Sequence, residues 1–135
     1  GVQTCALPIW VEVDTDESAD DAMLRAIGER GGFVGIDFYP EHLLKDALEP
    51  GHEPATVEHI ADHLQHAVNV CGEDHVGLGG DFDGFNDACA DLRHVGDLPN
   101  LERALHRRGV SEQVIGKIFS GNLLRYLGEV LPAGK

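Results

Sequence analysis

The segment 75–84 limits the folds open to this chain more than any other. It reads His-Val-Gly-Leu-Gly-Gly-Asp-Phe-Asp-Gly, an apolar run that ends in two carboxylates, Asp81 and Asp83. A strand buried on both faces of a parallel sheet is apolar throughout, and the C-terminal ends of such strands carry the chemistry in α/β enzymes. The segment therefore predicts a buried strand over 75–80 that presents Asp81 at its end. A tight turn with two solvated carboxylates fits the same residues, and the glycines leave room for neighbouring side chains or for a ligand.

Helix and strand patterns alternate along the rest of the chain. Helices are predicted over about 20–30, 54–72, 99–108 and from 111 onward, and a second strand over 33–39. This order predicts an α/β fold with parallel strands and right-handed crossovers. Two parallel strands form neither a closed barrel nor a stable open sheet, and a complete (β/α)8 barrel takes roughly 250 residues. We therefore expect the 135 residues to be the end of a larger domain.

The first seventeen residues are interpreted separately. Residues 1–9 resemble the translation of a sequencing-adapter oligonucleotide, so we expect them to be non-native and leave them out of the fold. Residues 10–17 are assigned to an acidic loop whose origin stays open, and 18–135 to the folded part. The alternative for the start is a short native strand through 9–13.

Charge and cysteine content exclude some classes of partner. The formal net charge of −14 disfavours nucleic acid and anionic membrane surfaces, because both require Lys and Arg. Cys5, Cys71 and Cys89 have no metal-site spacing and are expected to be reduced thiols. No segment reaches the roughly 20 apolar residues that span a bilayer. The start shows no secretory signal, so the default compartment is the cytoplasm unless a signal lies upstream.

The Asp-Phe-Asp-Gly turn matches other known site types poorly. A calcium loop would need oxygen ligands where Phe85 and Leu92 stand. A dinucleotide-binding loop would need a third glycine where Phe82 stands. A phosphatase with an Asp-x-Asp-Gly nucleophile stays an alternative, although only 51 residues follow Gly84 to complete its fold.

Histidines are abundant outside this turn. His59, His63 and His66 share one face of the long helix, opposite its apolar stripe. Histidines at such spacing can bind a metal, but a solvated polar face is the favoured interpretation. His94, in the loop after the strand, could approach the strand end, or only pack or cap locally. His42 is expected in a loop or at the surface.

Five ordered motifs resemble the renal (membrane) dipeptidase family. They lie at 31–40, 57–66, 75–84, 98–101 with 107–109, and 121–125. The resemblance covers about residues 18–131. It implies a zinc metallopeptidase with an amidohydrolase-like barrel of the TIM type, of which this chain carries the last two strands and the closing helices.

The resemblance also implies a mechanism and a set of site residues. In the family, two zinc ions share a hydroxide that attacks the peptide bond of a dipeptide. Asp81 corresponds to the carboxylate that contacts the amino end of the substrate and handles protons. Asp83 and Gly84 support the turn. The family's metal ligands lie in earlier strands, so we expect no metal ligand in this chain and no activity from the chain alone.

One interpretation from a different class stays open beside the dipeptidase. The chain could be a standalone, non-catalytic acidic α/β binding module. A His-x-Asp motif upstream would favour the enzyme, and a true start codon near Trp10 would favour the module. For the complete protein a homodimer is allowed by the resemblance.

Overall fold

The computed structural model describes residues 6–8 and 17–134, with side chains from residue 21 onward. Residues 1–5 and 9–16, which include most of the segment assigned as non-native and nearly all of the acidic loop, lie outside this description. The elements are β1 (Ala6–Pro8), α1 (Glu17–Glu29), β2 (Phe33–Asp37), α2 (Pro40–Leu43), α3 (Val57–Cys71), β3 (Val76–Gly80), a 3₁₀ turn (Val95–Asp97), α4 (Leu98–Arg107), α5 (Glu112–Gly116), a π-helical turn (Lys117–Gly121) and α6 (Asn122–Val130). The predicted mixed α/β alternation is confirmed in this part of the chain.

The strands form one parallel sheet in the order β1-β2-β3. Two strands were predicted, so β1 corrects the sequence analysis: Ala6–Pro8 pair with residues 33–35 of β2. A three-residue strand carries almost no periodicity of its own, and its parallel pairing depends on a partner far away in sequence. The strands in the described residues do not close into a barrel.

The core lies between the sheet and the helices α1 and α3. The apolar face of α3 is fully buried at Ile60, Ala61, Leu64 and Ala67. It belongs to one cluster with the buried valines of β2 and β3. The 3.6-residue period of this face is the pattern that the sequence showed, and it places α3 against the sheet.

The glycines of β3 make room for the chain's own atoms. A Cβ at Gly77 would lie 2.6 Å from Cζ of Phe33 and 3.1 Å from the carbonyl oxygen of Ile118. A Cβ at Gly79 would lie 3.1 Å from the carbonyl group of Gly35 in β2. Of the two possibilities that the sequence left open, neighbouring groups therefore fill the space at these two glycines.

The helix α6 crosses the N-terminal ends of β2 and β3. Asn122 is 3% exposed, and its Nδ2 donates hydrogen bonds to the carbonyls of Glu73, at 2.7 Å, and Val76, at 2.8 Å. The ring of Tyr126 packs on Phe33 with centroids 6.1 Å apart. This anchor is at the opposite end of the sheet from the Asp-Phe-Asp-Gly turn. In the described part of the chain, none of the helices has the length and apolar content needed for a membrane crossing.

Candidate active site

The turn after β3 has an unusual backbone. Gly80, Asp81 and Asp83 have positive φ angles of 64°, 58° and 69°. The amide of Asp81 donates to the carbonyl of Gly79 at 2.8 Å, and the amide of Gly84 donates to the carbonyl of Asp81 at 3.0 Å. Few residues other than glycine adopt this left-handed region, and Asn and Asp tolerate it best. The turn therefore reverses the chain sharply at the carboxyl end of β3 and leaves both aspartates exposed.

The carboxylate of Asp81 lies directly over Gly84. A Cβ at Gly84 would lie 2.8 Å from Cγ of Asp81 and 2.9 Å from its Oδ2. Any larger residue at this position would share space with the carboxylate. Glycine is thus the residue type that lets Asp81 hold this orientation, while Asp83 is exposed. The catalytic role of Asp81 and the supporting roles of Asp83 and Gly84 stay predictions.

A second carboxylate, Asp37, lies at the carboxyl end of β2. It pairs with Gly80 across the sheet, after a register shift between Ile36 and Asp37. Its side chain accepts a hydrogen bond from the amide of Tyr39 at 2.9 Å and lies 3.1 Å from Nδ1 of His42. His42 lies in α2 rather than in a loop, and its side chain is 28% exposed. The short helix α2 folds it back over the strand end.

Aromatic contacts join the loops that follow β2 and β3. Phe38 packs edge-to-face on Phe82 with ring centroids 5.5 Å apart, and Tyr39 packs on Phe85 at 5.4 Å. Such pairs contribute about 0.5–1.5 kcal/mol beyond the burial of their surface. The pKa of Tyr39 is raised above its usual value, first by desolvation and then by the neighbouring Glu41 carboxylate. The two loops thus form one acidic surface, and contacts between aromatic rings hold them together.

The histidines of α3 do not form a single solvated face. His63 is 3% exposed, and its Nε2 lies 3.1 Å from the carbonyl of Leu43, to which it donates. Burial lowers the pKa of His63, so the ring is neutral at pH 7. His59 accepts the amide of Thr56 on its Nδ1 at 3.1 Å, and His66 pairs with a carboxylate of α1 at 2.8 Å. The solvated-face interpretation was wrong for His63, because the α2 segment covers that part of the helix.

His94 acts as a local cap. Its Nδ1 accepts a hydrogen bond from the amide of Gly96 at 3.1 Å at the start of the 3₁₀ turn. Its side chain is 71% exposed. Of the roles that the sequence allowed for His94, capping is the one that these contacts support.

The described residues do not fit a zinc pair. No three His, Cys, Asp or Glu side chains between residues 21 and 134 come together as a set of metal ligands. A zinc site takes at least three protein ligands. We therefore assign no reaction step to a metal held by these residues. What the two strand ends do offer is carboxylate chemistry: proton transfer and the binding of a cationic group.

Comparison with known proteins identifies the family. The family model described as Membrane dipeptidase (Peptidase family M19) matches residues 12–134. Dipeptidase aclJ of Aspergillus oryzae is 39% identical over 111 residues, which are 82% of this chain and 25% of that protein. Dipeptidase tcpJ of Claviceps purpurea is 38% identical over 110 residues, with the same two shares.

Solved structures agree with the sequence matches. A metallopeptidase from Rhodobacter sphaeroides, crystallised with a phosphinate mimic of the dipeptide L-Ala-D-Ala, superposes with a TM-score of 0.70 at 34% identity. The superposition covers 80% of this chain and 30% of that one. The chain spans about a quarter of the length of the curated relatives it matches. Since the family model extends over both strand ends, the acidic turn and the helices after it, the chain belongs to the membrane dipeptidases of peptidase family M19, a family of metallopeptidases.

Proposed function

We propose that the chain is the C-terminal part of a zinc-dependent dipeptidase and forms one wall of its active site. The observation that carries the proposal is the exposed Asp81 at the carboxyl end of β3, in a chain of the M19 family. Barrels built from parallel strands hold their catalytic residues at that end. In this proposal the described strands are the last part of a (β/α)8 barrel, and the other strands belong to the rest of the enzyme.

Asp81 binds the amino end of the dipeptide and moves a proton. A carboxylate can accept charge-assisted hydrogen bonds from an ammonium group, and it can protonate a leaving amine. Asp37 is less suited to either task, because its carboxylate already interacts with the Tyr39 amide and the His42 ring. Asp83 and Gly84 hold the turn and leave the Asp81 carboxylate its space.

Membership of the family is the reason why the proposal includes zinc and a dipeptide substrate. When bound, two zinc ions would activate the attacking water and polarise the peptide carbonyl. The solved relative that carries a mimic of L-Ala-D-Ala supports a dipeptide as the substrate. The part of this chain in the reaction is to orient the substrate and to handle a proton at Asp81. A homodimer of the complete enzyme stays a prediction.

The chain alone should be inactive, and this can be measured. The purified chain and its Asp81→Asn variant are incubated with dipeptides and added zinc. We expect neither to hydrolyse them above the buffer rate, because the described residues offer no set of metal ligands. Turnover by the chain that Asp81→Asn abolishes would show a complete site and overturn the fragment part of the proposal. The complete reading frame, tested in parallel, should hydrolyse dipeptides, and no hydrolysis there would refute the dipeptidase part.

A further inference from the structure

The segments that follow β2 and β3 carry a group of carboxylates that we call the acidic rim. Its members are all exposed and are Glu41, Asp81, Asp83 and Asp87. In the described residues, Lys and Arg form ion pairs only with carboxylates of α1, α3 and α6 and of the turn before β3. The negative charge of the acidic rim is therefore available to a ligand at the end of the sheet where the proposed active site lies.

Two aromatic rings lie next to the acidic rim. Tyr39 packs on Phe85 with ring centroids 5.4 Å apart, and this contact joins the two segments. The Tyr39 hydroxyl lies 3.5 Å from Oε2 of Glu41. After desolvation, Glu41 and Asp87 are the charges that raise the pKa of Tyr39, so both carboxylates lie near its hydroxyl. Carboxylates beside an aromatic ring attract a basic side chain through ion pairing and through the cation–π interaction.

The acidic rim includes the carboxylate that the proposed function assigns to the amino end of the substrate. Asp81 is that carboxylate, and Asp87 follows it in the same loop. On the neighbouring strand Asp37, two residues before Tyr39, pairs with Gly80 across the sheet. A dipeptide whose amino group is bound by Asp81 would therefore have its first side chain near Tyr39 and the carboxylates around it. An active site at this end of the sheet has to admit its substrate, so we expect the complete enzyme to keep this surface open.

We propose that the dipeptidase prefers substrates whose amino-terminal residue has a basic side chain, lysine or arginine. The cation of that side chain lies among Glu41, Asp87 and the ring of Tyr39, while Asp81 binds the α-amino group. This inference rests on the proposed function and specifies its substrate class. Exposed ion pairs and cation–π contacts are each weak, so we expect a preference of about tenfold in kcat/KM over an uncharged side chain of the same length. Repulsion should disfavour an acidic side chain at the same position.

Steady-state kinetics of the complete, metal-loaded enzyme test this preference. The substrates are lysyl-alanine, norleucyl-alanine, glutamyl-alanine and alanyl-lysine. Norleucine has the length of lysine without its charge, and alanyl-lysine has the cation on the other residue. We expect kcat/KM for lysyl-alanine to exceed that for norleucyl-alanine about tenfold at low salt and by less at high salt, because salt screens exposed charges.

Variants of the acidic rim show whether these carboxylates cause the preference. Glu41→Gln and Asp87→Asn should each lower the ratio of lysyl-alanine to norleucyl-alanine about two- to fivefold, with little change in kcat/KM for norleucyl-alanine. Glu29→Gln is the matched control, because Glu29 is an exposed carboxylate at the end of α1, near the opposite end of the sheet. This control should leave the ratio unchanged.

Each other outcome has a defined meaning. Equal kcat/KM for lysyl-alanine and norleucyl-alanine overturns the inference, and so does a preference for alanyl-lysine alone. A preference for lysyl-alanine that Glu41→Gln and Asp87→Asn both leave intact also overturns it, and if one variant does not fold, the other decides. Hydrolysis of none of the dipeptides refutes the proposed function and this inference with it, whereas hydrolysis without a preference for lysyl-alanine refutes this inference alone.

Discussion

Replacing Gly84 by alanine should displace the Asp81 carboxylate without removing it. The backbone of Gly84 is outside the left-handed region, so alanine can adopt its conformation. The added Cβ would lie 2.8 Å from Cγ of Asp81. Since carbon atoms in contact are about 3.5–4.0 Å apart, the carboxylate has to move by about 1 Å. Asp81 is exposed, so it can turn into solvent at little cost in folding free energy.

A displacement of this size should be costly for catalysis. A misplacement of about 1 Å lowers the rate of an enzyme by about 100-fold, because the reacting groups lose their near-attack geometry. We therefore expect kcat/KM of the complete enzyme for a dipeptide to fall by about that factor in Gly84→Ala. The thermal unfolding midpoint should stay within a few degrees of the parent value.

Gly116→Ala is the matched control for this prediction. A Cβ at Gly116, in α5, would meet no atom within 4 Å. This variant should keep its kcat/KM and gain up to about 1 kcal/mol of stability from the helix propensity of alanine. The reasoning is refuted if Gly84→Ala keeps the activity of Gly116→Ala while its circular dichroism spectrum and melting temperature show an intact fold.

Three further predictions concern buried groups. Asn122→Ala should lower the free energy of unfolding by about 2–3 kcal/mol in urea titrations, because the carbonyls of Glu73 and Val76 lose their donor. A loss below about 0.5 kcal/mol would contradict this. The pKa of His63 is lowered by burial, so the unfolded state binds a proton that the folded state resists, and stability should fall by up to about 1.4 kcal/mol per pH unit below about pH 6.5. His63→Gln should weaken that dependence, and an unchanged pH profile would count against it. Burial raises the pKa of Cys71 to about 11 and that of Cys89 to about 12. At pH 8 both thiols should therefore react with a thiol reagent only after the chain unfolds. Rapid labelling of the folded chain would disprove this.

The sequence predicted those parts of the fold that depend on local pattern. The helix α3, Val57–Cys71, lies within the predicted range 54–72, with Thr56 as its N-cap and Gly72 as its C-cap. The strand β3 and its acidic turn were also predicted, since an apolar run followed by Asp-Phe-Asp-Gly is a signal contained within ten residues. A π-helical turn, Lys117–Gly121, joins α5 to α6 inside the region predicted to be helical from residue 111 onward.

The remaining features depend on tertiary contacts that no local pattern contains. His63 shares the spacing of its exposed neighbours, and only the packing of α2 onto α3 buries it. Asp37 and His42 come into contact because the chain turns back at Pro40. Their separation of five residues in the sequence does not by itself predict this contact. The Asp81 side chain occupies the space over Gly84. The turn motif alone does not predict this position of the side chain.

The most direct test is the dipeptidase activity of the complete protein with Asp81→Asn. If Asp81 binds the substrate and handles a proton at the end of β3, kcat/KM should fall by about 10²–10⁴-fold. The amount of bound metal should not change, because the proposal gives Asp81 a role towards the substrate and assigns the metal ligands to the rest of the enzyme. Activity within a few-fold of the parent would contradict the assigned role of Asp81. Loss of metal together with activity would show instead that Asp81 is a metal ligand.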